Sequence, residues 1–316
     1  MKSIYFDDNW AELQQEKDGG IAETYQYFDN ACKVQYTYIK RKAGVINGIQ
    51  YYDILTPRGV GGPRCTEGCM DDLENYNKHF LEYCKGNNII AEYVKFDPWN
   101  GNHSVFGPLY DELEHHGDLF CNDLKGDFLN EQYSKHIKRD IKQNIDKIEV
   151  LFDFEGKELD KFLELYRYTE EKYDVNEYYH FSHDFFSQYF DKMQGKVAVA
   201  NAIYNDEVVS SSIILFGEDI AHYHFAGNGP LSRKVNANSV LLYKTSLLSQ
   251  EMGKTLLDLG GGVVNGNTAK YKRRFVGENG VIPYYVGKRV LDREIYDEMI
   301  ALYGKGKQGY FPEYRR

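Results

Sequence analysis

Leu256-Leu257-Asp258-Leu259-Gly260-Gly261-Gly262 is the stretch on which the reading of this chain turns. A short apolar run ending in glycines reads as a buried strand that delivers its carboxyl end into a loop, where the missing Cβ lets backbone come close to a ligand or to other backbone. Such a loop also opens the sheets that cradle S-adenosylmethionine or a dinucleotide. That reading fails on chain length. Only 54 of the 316 residues follow Gly262, enough for one strand and two short helices, whereas a doubly wound sheet needs several further strand–helix units. The stretch is therefore a late strand of an α+β domain, with Asp258 and the glycines at the end where ligand crevices open.

The elements around it follow from pattern. Residues 237–252 repeat Val240, Leu241, Leu248 and Met252 on one helical side and stop at Gly253; residues 268–275 read as a short helix, 281–291 as a strand and 293–303 as a last helix. Upstream, strands over 196–204 and 208–216 flank the tight turn Asn205-Asp206-Glu207, a third strand covers 220–226, and a helix at 157–173 leads into an aromatic stretch with Tyr178, Tyr179, Phe181, Phe185 and Phe186. The first half repeats the order. It has strands at 33–42 and 49–56 around a turn at 44–48, a helix at 71–85 with Leu73, Tyr76, Phe80, Leu81 and Cys84 on one face, and a strand at 89–96. A short helix at 108–115, a strand at 118–124 and a long charged helix at 127–147 complete it. Two α+β domains with mixed sheets and flanking helices are expected, at residues 1–150 and 151–316. The duplication rests on element order, since the halves share no visible sequence identity.

Composition narrows the class. The chain carries 28 Tyr and 18 Phe, an aromatic share that suits strands, and has no 18-residue apolar run or apolar leader, so a cytoplasmic location is expected. Five scattered cysteines, Cys32, Cys65, Cys69, Cys84 and Cys121, predict free thiols; Cys65-x3-Cys69 near His79 lacks the second pair that a structural zinc site uses, so no metal is expected. A net charge of −10 disfavours non-specific nucleic-acid binding. Three basic clusters run against it, Lys40-Arg41-Lys42, residues 135–142 and Lys270-x-Lys272-Arg273-Arg274, each of which also reads as a solvated element end.

Several segments taken in order resemble the FemAB/FemX-like group of GNAT acyltransferases: residues 51–63, Val94-Lys95-Phe96-Asp97-Pro98, residues 133–141, and the glycine stretch followed by Lys270-Tyr271-Lys272-Arg273-Arg274-Phe275 and Tyr284-Tyr285-Val286-Gly287-Lys288. The resemblance spans most of the chain. It implies two tandem GNAT-like domains, with the last residues able to cross back to the first. It also implies acyl or aminoacyl transfer to an amine of a cell-envelope precursor, either a peptidoglycan peptide or an amino sugar of a surface polysaccharide. The loop at residues 227–234 departs from the Arg-x-x-Gly-x-Gly/Ala pattern that holds coenzyme A pyrophosphate on a helix N-terminus, so the donor is aminoacyl-tRNA or acyl-CoA, with no tightly bound cofactor expected. A non-catalytic GNAT-like binding protein for a nucleotide-linked precursor is the alternative. Peripheral contact with a membrane stays open, as does oligomeric state.

Amine acylation needs a base and a donor for the developing oxyanion. His222 and His224 share a strand face by alternation and are the catalytic candidates; a plain hydrogen-bonded pair is the competing reading. Asn236 and Asn238 stand where a helix N-cap is wanted. Asn238, Gly260, Gly261, Lys270, Lys272 and Arg273 are the donor-side candidates, the cations for gripping phosphate. Asp53, Arg58, Gly61 and Gly62 are the acceptor-side candidates, with a simple turn as the other reading of those glycines.

Overall fold

The computed structural model describes residues 1–173, 180–262, 266–306 and 309–315; Tyr178 and Tyr179 lie outside the described residues. In chain order the first elements are α1 (Asp8–Asp18), β1 (Ile21–Phe28), β2 (Cys32–Ile46), β3 (Ile49–Leu55), β4 (Arg64–Gly68), α2 (Leu73–Gly86), β5 (Ile89–Lys95), α3 (Asn102–Phe106), β6 (Glu112–Asp123), α4 (Phe128–Glu131) and α5 (Lys135–Asn144). Then come β7 (Glu149–Asp153), α6 (Leu159–Tyr173), α7 (His183–Lys192), β8 (Val197–Tyr204), β9 (Glu207–Phe216), β10 (Ile220–Asn228), α8 (Ala237–Glu251), β11 (Leu256–Asp258), α9 (Asn267–Lys272), β12 (Val281–Val290) and α10 (Arg293–Tyr303).

The chain divides into two compact units, and neither is a continuous segment. One comprises Met1–Asn9 with Gly117–Ile282, the other Trp10–His116 with Pro283–Arg316. A single cut at residue 150 is thus replaced by three crossings. The reason lies in strand pairing: β12 runs antiparallel to β5, which ties the last 34 residues to the earlier unit, while β6 pairs with β11 and so belongs, from Gly117 on, with the later one.

In the earlier unit the strands follow the order β1-β2-β3-β5-β12, with β4 on β2. The β2–β3 turn is Asn47-Gly48, both at positive φ (51° and 80°), the geometry that a two-residue hairpin demands and that Asn and Gly adopt at least cost. Helix α2 is capped by the Asp72 carboxylate, which accepts from Asn75 N at 2.9 Å. Its Tyr76, Phe80 and Cys84, spaced by four, pack on Tyr25, Tyr27, Tyr36 and Tyr38 of β1 and β2. That explains the tyrosine surplus: the rings fill the core while hydroxyls at its rim pair off, as Tyr38 and Tyr83 do at 2.6 Å. Tyr296 and Met299 of α10 cover Ile46 and Ala91 in a separate cluster.

The later unit orders its strands β6-β11-β10-β9-β8-β7. Helix α8 lays Val240 and Leu241 over Ala198, Ala200 and Ala202 of β8, small residues on every second position that let the helix come close. Each such Val or Leu, fully buried, stabilises by about 1.5–3 kcal/mol. Phe162, Phe186 and Phe225 pack edge to face in the same unit, with Phe186–Phe225 centroids 5.2 Å apart. Residues 197–202 are buried without alternation, as expected of a strand covered on two faces. Each unit contains the same motif, an antiparallel pair followed by a helix and a strand parallel to the second: β2-β3-α2-β5 in one, β9-β10-α8-β11 in the other.

Several elements differ from expectation. Residues 108–115 are not a helix; a 3-10 turn at Gly107–Leu109 gives way to β6, whose Glu112 and Glu114 both accept from Lys288 of the neighbouring β12. The helix at 127–147 breaks in two, since Ser134 caps α5 by accepting from Ile137 N at 3.4 Å. Helices α1, α3 and α7 and strands β1, β4 and β7 are additions that the pattern did not disclose.

Candidate active site

Strands β10 and β11 run parallel only from Ile220 to His222 against Leu256 to Asp258. Beyond His222, β10 continues to Asn228, whereas β11 ends at Asp258 and turns away through Leu259–Gly262. A crevice opens where a parallel pair parts at its carboxyl ends. Just past the parting, β10 bulges: Tyr223 faces Ile214 and Phe225 faces Ile213, so His224 is the extra residue.

His222 and Asp258 sit at the apex. Asp258 Oδ2 lies 3.0 Å from His222 Nδ1, and His222 Nε2 lies 3.0 Å from Ser3 Oγ, which in turn accepts from Tyr5 N at 3.3 Å. Asp258 Oδ1 accepts from Gly260 N at 2.7 Å and from Cys121 Sγ at 3.8 Å. Ser3, His222 and Asp258 are all buried. One proton arrangement satisfies every group: Ser3 donates to Nε2 of a neutral imidazole, which donates from Nδ1 to the carboxylate. With both ring nitrogens engaged and the ring 1% exposed, His222 is part of the frame rather than a base open to substrate. His224 is half-buried, and Tyr5 lies against both rings, at 4.6 Å from His222 and 6.3 Å from His224.

On the donor side, Gly260 has φ +72°, and a Cβ there would stand 3.3 Å from Lys272 Nζ. That ammonium donates to Gly261 O at 2.7 Å. Burial pushes the Lys272 amine down to about 8, with the Asp258 carboxylate opposing the shift. Asn238 does not cap α8. Its Oδ1 accepts from Tyr223 Oη at 3.0 Å and from Ser210 Oγ at 3.3 Å, and its Nδ2 donates to Tyr271 Oη at 3.3 Å, which ties β9, β10, α8 and α9 together. The N-cap residue is Asn236, in the left-handed region at φ 52° and without a side-chain cap bond. Arg273 turns back on its own chain, donating to the carbonyls of Val276 and Gly277, while Lys270 is exposed.

Two of the basic clusters meet. Ser134 N donates to Arg274 O at 2.8 Å, which sets the N-terminus of α5 beside the end of α9. Lys135, Arg139 and Lys142 are exposed on α5, as are Lys270, Arg273 and Arg274. Sequence order separates these cations by more than a hundred residues and gave no sign that they share a surface.

The acceptor-side candidates fare differently. Asp53 is wholly buried and saturated: Arg41 reaches its Oδ1 at 2.7 and 2.8 Å, and Arg315 Nε and Tyr314 Oη reach its Oδ2 at 2.6 and 3.1 Å. It fastens the C-terminal tail and has no lone pair aimed outward. Gly61 and Gly62 close the counterpart crevice between β3 and β5. Gly61 N donates to Lys95 O at 2.7 Å, Asp97 N donates to Gly61 O at 3.1 Å, and Asn102 Nδ2 donates to Gly61 O at 2.8 Å. A Cβ on Gly62 would come 2.8 Å from Val94. Arg58 stays half-buried at the edge of that seam, its carbonyl accepting from Trp10 Nε1 at 2.7 Å. Lys95, also half-buried, is held below the usual lysine range by burial, against the opposing charge of Asp18 and with the like charge of Arg58. In the same unit a separate groove of about 530 Å³ between α2 and the turn at Gly107–Leu109 is lined by Leu73, Leu81, Pro108 and Leu109 together with Glu74, Asn77, Lys78 and Glu82.

All five cysteines are free. Among the described residues no group of His, Cys, Asp and Glu could hold a metal ion, and no helix is long and apolar enough to cross a membrane.

Residues 132–273 match the model of the acetyltransferase (GNAT) domain. Among solved structures, FemX superposes with a TM-score of 0.69 at 13% identity over 94% of each chain. The C-terminal domain of a putative lysylphosphatidylglycerol synthetase from Agrobacterium fabrum superposes with a TM-score of 0.58 at 13% identity, over 98% of this chain and 95% of that one. L-PGS from Bacillus licheniformis gives 0.54 at 13% identity, over 94% and 95%. No curated protein sequence matches the chain. The matched domain spans α5 through α9, the segment that contains the parted strands, the bulge and the glycine turn, so residues 132–273 match a GNAT acetyltransferase domain within a chain whose fold is like that of FemX.

Proposed function

We propose that the chain moves an aminoacyl group from aminoacyl-tRNA to an amine of a cell-envelope precursor. The observations that carry this are the parting of β10 from β11 beyond His222, the Gly260–Gly261 turn on which Lys272 rests, and His224 on the β10 bulge. The amine nitrogen attacks the ester carbonyl, the new N–C bond forms, and the ester C–O bond breaks. His224 takes the proton from the amine and returns it to the departing ribose oxygen. Lys272 supplies positive charge to the donor end of the crevice.

Two features favour tRNA over coenzyme A. The α8 N-terminus is partly used up by its own loop, because Ala237 N donates to Ser232 O and Ser239 N to Asn236 O, which leaves fewer amides for a pyrophosphate. The exposed cations of α5 and of residues 270–274 suit a phosphodiester backbone, a local attraction in a chain of net charge −10. The fold is shared with a FemX and with a putative lysylphosphatidylglycerol synthetase, whose name describes an aminoacyl lipid. Within the earlier unit, Arg58 and Lys95 are half-buried cations chemically suited to an anionic group of the precursor, a peptidoglycan peptide or an amino sugar carrier.

The test is direct. Purified protein is incubated with charged tRNA or with acyl-CoA in the presence of a precursor peptide or an amino-sugar nucleotide, and products are read by mass spectrometry. Product from charged tRNA alone supports the proposal; product only from acyl-CoA refutes the donor, and none from either refutes the reading.

A further inference from the structure

The buried chain Ser3–His222–Asp258 ends on the turn that holds Lys272. Ser3 belongs to the first nine residues, His222 to β10, and Asp258 to β11. Each of the three is at most 5% exposed, and the two hydrogen bonds that join them are both 3.0 Å long. Asp258 has two oxygens and divides them: Oδ2 receives the imidazole, and Oδ1 receives the amide of Gly260. The next carbonyl, that of Gly261, receives the Lys272 ammonium. A carboxylate, a turn and a lysine are thus coupled through two successive hydrogen bonds.

We propose that Asp258 is a positioning residue for Lys272: it fixes the Gly260–Gly261 turn on which the ammonium rests and supplies the negative charge that faces it. The inference rests on the donor-side role given to Lys272 above. The titratable groups that meet the Asp258 carboxylate are His222 from β10 and Cys121 from β6, while Asp118 presents a backbone carbonyl beside Gly261. Held between Gly260 N–H and the imidazole, the carboxylate cannot swing to the ammonium and form a direct ion pair. Its field reaches the lysine while the turn sets the distance. Ser3 completes the arrangement by engaging the far nitrogen of His222, which fixes the tautomer that donates to Asp258.

The experiment uses the full chain. Nuclear magnetic resonance of ¹⁵N,¹³C-labelled lysine follows the Lys272 side chain, assigned by its disappearance in Lys272→Met, and transfer is measured across pH. In Asp258→Asn the Lys272 titration should move to lower pH, the alkaline limb of kcat should move with it, and kcat at neutral pH should fall about tenfold to a hundredfold with acceptor KM unchanged. Asp258→Glu keeps the charge and displaces the oxygens: the titration should stay near that of the parent while kcat falls. An unmoved titration in a folded Asp258→Asn variant overturns the proposal. Should that variant not fold, wild-type kcat in Asp258→Glu overturns it equally. If Lys272→Met itself transfers normally at every pH, the donor-side reading fails, a result distinct from either of these.

Discussion

The Asp53 carboxylate, on a central strand, receives Arg315 Nε at 2.6 Å from the very end of the described chain. Arg41 and Tyr314 occupy its remaining acceptor positions, so the group is an anchor for the tail. Removing one partner of a buried ion pair leaves an uncompensated charge. Asp53→Ala should destabilise the protein by about 3–5 kcal/mol, whereas Arg315→Ala, at the more exposed end, should cost less. Urea unfolding measures both, and acceptor KM in the folded fraction should not change.

His222 and His224 should separate cleanly. His222→Ala strands the Ser3 hydroxyl and the Asp258 carboxylate in a buried site, and stability should drop by about 3 kcal/mol. His224→Ala should leave the melting temperature nearly intact and lower kcat by about 100-fold, the range expected for losing a general base. Equal activity in His224→Ala and the parent would remove that residue from the mechanism.

Burial holds Lys272 near 8 against an ordinary 10.5. The ammonium is therefore present below about pH 8 and lost above it, so transfer that relies on the cation should decline as pH rises through 8. Stability moves the other way: between about 8 and 10.5 the folded state binds fewer protons than the unfolded chain, and this group's contribution to stability rises with pH. A pH–rate profile beside pH-dependent unfolding shows whether the two trends oppose each other.

Gly260→Ala places a Cβ in the left-handed region at φ +72° and 3.3 Å from Lys272 Nζ. The backbone strain should cost about 1–2 kcal/mol. Displacement of the ammonium should lower kcat more than the stability loss alone explains, and comparison with Gly253→Ala, at φ +75° with open space around it, isolates that part.

Charge reversal on the shared basic surface, Lys135→Glu or Arg274→Glu, should weaken tRNA binding at fixed salt. Each lost phosphate contact should reduce the slope of log affinity against log salt by about 1. Unchanged binding in both variants would show that tRNA docks elsewhere.

Local pattern was enough for much of the fold. The Asn205-Asp206 turn, at φ 51° and 64°, the helix that Gly253 ends, and the late strand with its glycines were all legible because each depends on residues within a few positions. Misreadings arose where a residue's role is set by distant partners. Asp53 looked like an acceptor contact because Arg315 lies 262 residues away in sequence, and His222 looked like a base because Ser3 lies 219 residues away. Nothing near Gly61 announced that Asn102 and Asp97 would seal its crevice. Periodicity assigns a side chain to a face; only the packed structure decides which polar atoms are consumed by neighbours and which are left for a substrate. Buried donors and acceptors must find partners somewhere, and in this chain the partners come from its far ends.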